Sequence, residues 1–595
     1  VPRGGRVNAD AKELVGAPER LLDGLDDNQR RAAEALRGPV CVLAGAGTGK
    51  TRAITYRIAY GVATGAYAPN RVMALTFTSR SASELRSRLR ALGASGVAAR
   101  TFHSAALSQL NYFWPTVVGG QLPSVLEGKA RMLGQAAETL RLKIDTATLR
   151  DLAAEIEWRK LSRLSIAEYA ALGSTRSQPG SLTIDQTIAM QQAYEDIKDA
   201  RRQIDFEDVL LVTTGMIESE PQVALHVREQ YRFFVVDEYQ DVSPLQQELL
   251  DAWIGERRDV CVVGDASQTI YSFAGAKSEY LLEFATRYEG AHVVRLANNY
   301  RSTPVIVDAA NRLMRGRPGA VLLASPRESD LNPFASDPAA ETVPPRVDQY
   351  PSDVLEARGV AAAVASRIAD GVRPENIAVL YRINVQSIAI EAALTEVGVS
   401  SQVRGTTRFF DLREVKQAVL QLRAASISIS GEPLFKSVSD VLRSLGLTAR
   451  PPEGAGVLRN RWESLNALMT LADQAPHDTT FRQFTDQLLE RQATHHEPAV
   501  AAVTLATLHS AKGLEWDEVY VVGLAEGLVP ISYAKTSEQI DEERRLLYVG
   551  ITRARRALSL SWAASGANGV QTRARSRFLE ELDTHTRGAE RSQPA

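Results

Sequence analysis

The chain has 595 residues, 44% hydrophobic and 24% charged, the profile of a globular protein with core material for about four ordinary domains. Its 69 Lys+Arg against 71 Asp+Glu leave a net charge of −2, which excludes bulk positive charge as a basis for nucleic-acid binding and demands a local groove instead. No apolar run reaches the ~18 residues of a membrane span, so no membrane partner is expected, and Val1-Pro2-Arg3-Gly4 reads as a protease-site remnant rather than a signal peptide.

In chain order, short apolar runs at 40–43, 72–76, 233–236, 260–263 and 292–296 predict strands, with helical stretches between them. That alternation predicts a parallel sheet covered by helices. Cys41 and Cys261 lie inside two of these runs and are expected as free core thiols in a reducing, cytoplasmic setting. Residues 111–203 are helical in pattern and interrupt the first unit; 324–346, rich in Pro, Ser and Asp, predicts a surface loop. A second set of strands is predicted at 377–380, 504–507, 519–522 and 557–562. It is interrupted at 417–500 by a mainly helical stretch broken at Pro451-Pro452-Glu453-Gly454. The expected fold is α/β: one parallel-sheet domain over 20–110 and 204–300 with a helical insertion at 111–203, and a second over 301–416 and 501–585 with an insertion at 417–500.

Ala44-Gly45-Ala46-Gly47-Thr48-Gly49-Lys50-Thr51 follows a predicted strand and opens a helix. Gly45, Gly47, Thr48 and Gly49 let backbone N–H groups close around phosphates, and the helix N-terminus adds positive potential. Lys50 is placed to reach the β- and γ-phosphates and the Thr51 hydroxyl to ligate Mg²⁺; Ala44 stands where the general pattern has glycine and is small enough for the turn. The run Phe233-Phe234-Val235-Val236-Asp237-Glu238 delivers two acids at the C-terminal edge of a strand, where parallel sheets bind ligands. Alone, such a pair reads as a helix cap. Beside the glycine-rich loop, Asp237 reads as a Mg²⁺ holder and Glu238 as the base that orients the attacking water. Phosphoryl transfer also needs cations near the γ-phosphate; Arg301 and Arg553 are candidates, though each taken singly reads as a surface residue.

Taken together, the chain resembles UvrD/PcrA/Rep-type DNA helicases of superfamily 1A. The resemblance runs in order from Leu25-Asp26-Asp27-Asn28-Gln29 to Ser576-Arg577-Phe578-Leu579. It passes through Thr76-Phe77-Thr78-Ser79, Thr101-Phe102-His103-Ser104 and Asp205-Phe206-Glu207-Asp208. Further on it takes in Gln268-Thr269-Ile270-Tyr271, Asn299-Tyr300-Arg301-Ser302, His509-Ser510-Ala511-Lys512-Gly513-Leu514-Glu515 and Gly550-Ile551-Thr552-Arg553. It implies two RecA-like P-loop domains (1A and 2A) with helical insertions (1B and 2B), and ATP and Mg²⁺ as cofactors. Gln29 is then expected on the adenine edge, Tyr300 stacked on the base, Gln268 sensing the γ-phosphate, Arg301 and Arg553 as arginine fingers, and Glu515 at the ribose or phosphate end. The expected site lies between the two α/β units, so that its closure drives movement along single-stranded DNA.

Sequence-tolerant strand binding needs aromatic faces for bases and donors for phosphates. By resemblance the track uses Phe77, Thr78, Phe102, His103, Tyr271, Phe273 and His509, although on spacing alone Phe77 and Phe102 read as core residues at strand ends. Three features depart from the family pattern: Phe273-Ala274-Gly275-Ala276 where Trp-Arg-Gly-Ala is typical, Ile388 where many relatives carry arginine, and a short 2B region. The short 2B region and arginine-rich composition resemble a second actinobacterial UvrD paralogue, a branch that can carry a further C-terminal module; the chain ends soon after Leu579. The expected function is a 3′-to-5′ DNA helicase in repair or replication, acting on single-stranded and 3′-tailed duplex DNA, with repair proteins among the expected partners. The alternatives are a translocase that displaces proteins but unwinds weakly, and a nucleotide-gated DNA-binding scaffold.

Overall fold

A computed structural model describes residues 18–172, 178–180, 182–326, 344–404, 410, 412–428, 432–448, 457–473, 475, 479–494, 501–566 and 572–583. The chain divides into two compact units, Val1–Ala44 with Gly49–Leu296, and Gly45–Thr48 with Ala297–Ala595. The predicted break at 451–454 and most of the predicted loop at 324–346 lie outside the described residues.

The strands of the first unit are β1 (Val40–Ala44), β2 (Val72–Thr76), β3 (Ala98–Thr101), β4 (Ser124–Val125), β5 (Gln203–Ile204), β6 (Phe233–Val236), β7 (Val260–Gly264) and β8 (His292–Leu296). Six of them form one sheet in the order β3-β2-β6-β7-β1-β8, with every pairing parallel. The central strands are apolar throughout because helices cover both faces. On one face Cys41, Leu75, Phe234 and Val262 pack with Phe102 and Trp253; on the other Val40, Val42, Val235 and Cys261 pack with Ile54 and Ile58. Both cysteines are free and buried, as expected.

Helices Ala130–Thr139, Thr146–Leu161, Ile166–Leu172 and Ile184–Ala200 fill the stretch read as an insertion. Three of them share a small core around Leu133, Ile156 and Tyr194. Buried charges tie them to the next helix, Phe206–Ser219. Lys160 Nζ donates to Asp205 (2.7 Å) and Asp208 (2.8 Å), the Tyr194 hydroxyl donates to Asp205 (3.0 Å), and Lys198 Nζ donates to Asp208. Asp205 and Asp208 also cap one another's backbone at that helix start, so the same two carboxylates begin the helix and anchor the lysines.

The second unit contains β9 (Arg346–Tyr350), β10 (Ile377–Tyr381), β11 (Ser401–Val403), β12 (Val503–Thr507), β13 (Trp516–Val521) and β14 (Ala554–Ala563). They form a parallel sheet in the order β11-β12-β10-β13-β14-β9. Helices Arg413–Ser428, Leu434–Ser444, Val457–Asp473 and Phe481–Thr494 gather around their own core, which includes Leu422, Val438, Leu468 and Phe484. The strands not predicted from sequence are β3, β9, β11 and the two-residue pair β4–β5; β9 begins where the predicted loop ends.

Candidate nucleotide and DNA site

In the first unit β1 ends at Ala44 and the helix Lys50–Ala63 begins just beyond the loop. Gly49 caps that helix at φ 79°, a conformation that glycine adopts without strain. A Cβ there would lie 2.6 Å from Gln29 Nε2, so the loop closes directly on the glutamine side chain. Gln29 is buried, and its Oε1 completes a capping box by accepting from the Asp26 N–H.

Lys50 Nζ is buried 3.8 Å from Glu238 Oε2 and lacks a hydrogen-bond partner among the described residues. An ammonium held dry with spare donors beside a glycine-rich helix start fits a phosphate. β6 delivers Asp237 and Glu238 beside it. Burial first, and then the Glu238 carboxylate, push Asp237 up to about 7, against the pull of Lys50, the Glu238 N–H and the Thr51 hydroxyl. Glu238 itself sits at φ 53°, ψ 39°, a left-handed conformation costly for a residue with a side chain and frequent where function dictates the aim of a group.

From Glu238 a buried chain of amides runs along the sheet edge. Gln240 Nε2 donates to Glu238 Oε2 (2.5 Å), Gln240 Oε1 accepts from the Asp265 N–H (3.0 Å), and Gln268 Nε2 donates to Asp265 Oδ2 (2.8 Å). Three residues beyond Gln268 come Tyr271 and then Phe273, edge to face at 6.0 Å, with the Phe273 ring 60% exposed. The acids at the nucleotide loop and the aromatic loop are thus joined through Gln240 and Asp265, neither of which has a role assigned from sequence; the available signal was polar residues just past two apolar strands, Asp265 directly after β7 and Gln240 within the turn after β6.

In the second unit Asn299 Nδ2 donates to the Ala46 carbonyl (2.7 Å) while its Oδ1 accepts from the Arg301 and Ser302 N–H groups. The Tyr300 N–H donates to the Gly47 carbonyl (2.9 Å). Arg301 Nε donates to Glu515 Oε2 (2.6 Å) and Nη1 to the Thr552 carbonyl (3.2 Å). Burial pushes the Glu515 carboxyl up, but Arg301 first, with Arg555 and Arg553 behind it, together outweigh burial and hold the group below its ordinary value. Arg553 is only 2% exposed. Its guanidinium donates to the Val549 and Leu514 carbonyls and to the Thr552 hydroxyl, so Arg301, Glu515 and Arg553 converge around Thr552.

The expected DNA track is not uniform. Phe102 must be corrected: its ring is 1% exposed and stacks on Trp253 at 5.9 Å in the core, which leaves no face for a base. Phe77 is half-buried against the same core. The Thr78 hydroxyl is engaged as the cap of helix Ser79–Ala91, accepting from the Ser81 N–H. His103 packs edge to face on Phe206; burial, then Lys129, push it down to about 4. His509 is likewise pushed to about 4 by burial, then Arg382 and Lys512. Both imidazoles are therefore neutral near pH 7 and offer hydrogen bonds rather than positive charge.

The profile of the UvrD/REP helicase N-terminal domain matches residues 25–289, and that of the UvrD-like helicase C-terminal domain matches 294–428 and 435–565. The chain belongs to the UvrD/REP helicase family. Among this UvrD-type protein's relatives is ATP-dependent DNA helicase UvrD2 of Mycobacterium tuberculosis (strain ATCC 25618 / H37Rv), 47% identical over 96% of this chain and 83% of the relative. DNA helicase II of Escherichia coli (strain K12) is 29% identical over 94% of this chain and 88% of its own length. ATP-dependent DNA helicase PcrA of Bacillus subtilis (strain 168) is 27% identical over 95% and 86%.

Proposed function

We propose that this UvrD-type protein moves 3′ to 5′ along single-stranded DNA and opens 3′-tailed duplexes in DNA repair or replication. The coarser activity, ATP-dependent DNA unwinding of the UvrD/PcrA type, comes with family membership. The observation that carries the mechanistic reading is the buried chain Glu238–Gln240–Asp265–Gln268, which leads from Lys50 toward Tyr271 and Phe273. Rearrangement of Glu238 on hydrolysis would pass through these fixed amides to the exposed ring on which a base stacks.

In this reading Gly45, Gly47, Thr48, Gly49 and Lys50 hold the phosphates, Gln29 and Tyr300 the adenine, and Glu515 the ribose or phosphate end. Glu238 takes the proton of the attacking water and Gln268 reports the γ-phosphate. Arg301 and Arg553 supply cations to the transferring group, Arg553 by exchanging its carbonyl partners for phosphate oxygens. Thr51 and Asp237 are the residues that would hold Mg²⁺, which would neutralise phosphate charge. A site with so few protein ligands suits an ion bound largely through the nucleotide, and among the described residues no cluster of three or more His, Cys, Asp or Glu offers a cage of its own. Phe77, Thr78, His103, Tyr271, Phe273 and His509 serve the DNA. Free buried thiols at Cys41 and Cys261 suit a reducing cytoplasm.

A second reading, translocation that displaces proteins with weak unwinding, is favoured by Ala274, which follows the exposed Phe273 where the family pattern has arginine. Duplexes with a 3′ or a 5′ tail separate the readings. Strand separation only from the 3′ tail supports the helicase; DNA-stimulated hydrolysis without separation supports the translocase; hydrolysis indifferent to DNA refutes both.

A further inference from the structure

A cavity of about 600 Å³ opens in the first unit between helices Phe102–Val117 and Pro221–Gln230, along the edge strand β3 and the start of β2. Its size is that of a small-molecule site. β3 is one edge of the sheet and β1 lies next to the other edge, four strand spacings or about 19 Å from β3, so the nucleotide loop and this cavity are separate. None of the residues given a role above lines it.

The lining is built for a ligand. Gln109 is 8% exposed, and its Oε1 accepts from Trp253 Nε1 at 2.8 Å. Indole is a donor only, which fixes the amide orientation. The Nε2 end is buried at the cavity wall with no hydrogen-bond partner among the described residues, a donor that costs free energy until an acceptor arrives. Arg71 and Arg100 line the same space, and neither guanidinium has an ion pair or hydrogen bond among the described residues. Tyr112, 69% exposed, stands edge to face on Phe113 at 4.8 Å, and Phe113 on His226 at 6.1 Å. Glu229 is the one carboxylate among the described lining residues, and it lies on the exposed side.

We propose that this cavity is a second nucleotide-binding site, taking one nucleoside monophosphate unit, with its phosphate on Arg71 and Arg100, its base against Tyr112, and Gln109 Nε2 donating to a base acceptor. Two unpaired guanidiniums match a phosphate, and an exposed ring matches the flat face of a base. An acidic peptide would use the arginines but leave the ring without a flat partner. The unit is supplied either as a free nucleotide or as one residue of a DNA strand passing this edge of the sheet.

The test is photo-crosslinking of the intact chain with the nucleotide loop saturated by a non-hydrolysable ATP analogue and the track by oligothymidylate. The probes are 5-iodo-2′-deoxyuridine 5′-monophosphate and a single strand containing the same residue, with adducts mapped by peptide. Adducts at Tyr112 or Phe113 from the monophosphate identify the free-nucleotide source, and adducts from the strand alone identify the strand source; either supports the site. Arg100→Glu and, on the exposed ring, Tyr112→Ala are each expected to cut labelling about tenfold, with basal ATPase and melting temperature as in the parent. Absence of adducts at this cavity from both probes, undiminished labelling in both variants, or displacement by polyglutamate as readily as by thymidine monophosphate would overturn the assignment. None of these outcomes depends on the direction or efficiency of unwinding.

Discussion

Replacing Glu238 by Gln removes one negative charge and keeps the side chain's size. The lost carboxylate lies 3.8 Å from Lys50 Nζ, and in an effective dielectric of about 20 such a pair attracts by about 4 kcal/mol before desolvation is subtracted. Lys50 released from that attraction is free for phosphate, so ATP binding is expected to be unchanged or tighter. Hydrolysis is expected to fall by ~10²–10⁴, the usual cost of losing a general base. A third effect follows from Asp237. Burial is the largest cause of its elevation to about 7, and the Glu238 charge is the next; without that charge the acid ionises at lower pH. Fluorescent-nucleotide titration and single-turnover hydrolysis, each repeated across neutral pH with and without single-stranded DNA, read all three effects. Tenfold weaker nucleotide binding with hydrolysis retained would refute the assignment and make Glu238 a structural residue.

In the parent protein Asp237 is protonated below about pH 7 and must lose that proton to hold a cation. Mg-nucleotide affinity is therefore expected to rise with pH up to about 7 and level off above it, with proton release visible as a buffer dependence of the calorimetric heat; proton uptake would contradict this. Lys160→Met leaves Asp205, Asp208 and Glu195 facing Lys198 alone among the lysines of the cluster. Breaking such a buried network is expected to cost about 3–5 kcal/mol in denaturant unfolding, and a loss below about 1 kcal/mol would show that the remaining charges re-pair. Phe273→Ala is expected to preserve basal ATPase while weakening single-strand binding by about 1–3 kcal/mol, the worth of one stacked base; an unchanged unwinding rate would remove this ring from the track.

The inner strands were legible because burial on both faces makes them continuous apolar runs: Val40-Cys41-Val42-Leu43 and Val260-Cys261-Val262-Val263 can hardly be anything else. The long strands that escaped notice are all edge strands. β3 (Ala-Ala-Arg-Thr), β9 (Arg-Val-Asp-Gln-Tyr) and β11 (Ser-Gln-Val) are half-exposed at the margins of their sheets, where one side needs no apolar cover and the pattern dissolves. The glycine-rich loop, Lys50, Asp237 and Glu238 were legible for another reason: backbone freedom, cation and acids follow strands at set intervals, and these spacings are local.

Sequence by itself determined the order of the chemical groups and the strands that present them, because both are written in neighbouring residues. Only tertiary structure decided which groups meet. Phe102 follows a strand just as Phe77 does, yet packing on Trp253, 151 positions away, commits it to the core. Gln240 joins Glu238 to Asp265, and Arg301 finds Glu515, across separations that no periodicity encodes. Likewise Gln109 became a candidate ligand donor because Trp253 occupies its oxygen and leaves its nitrogen facing a cavity. Local spacing sets what each element carries, whereas close packing of distant elements sets which polar atoms are satisfied and which remain open to a ligand.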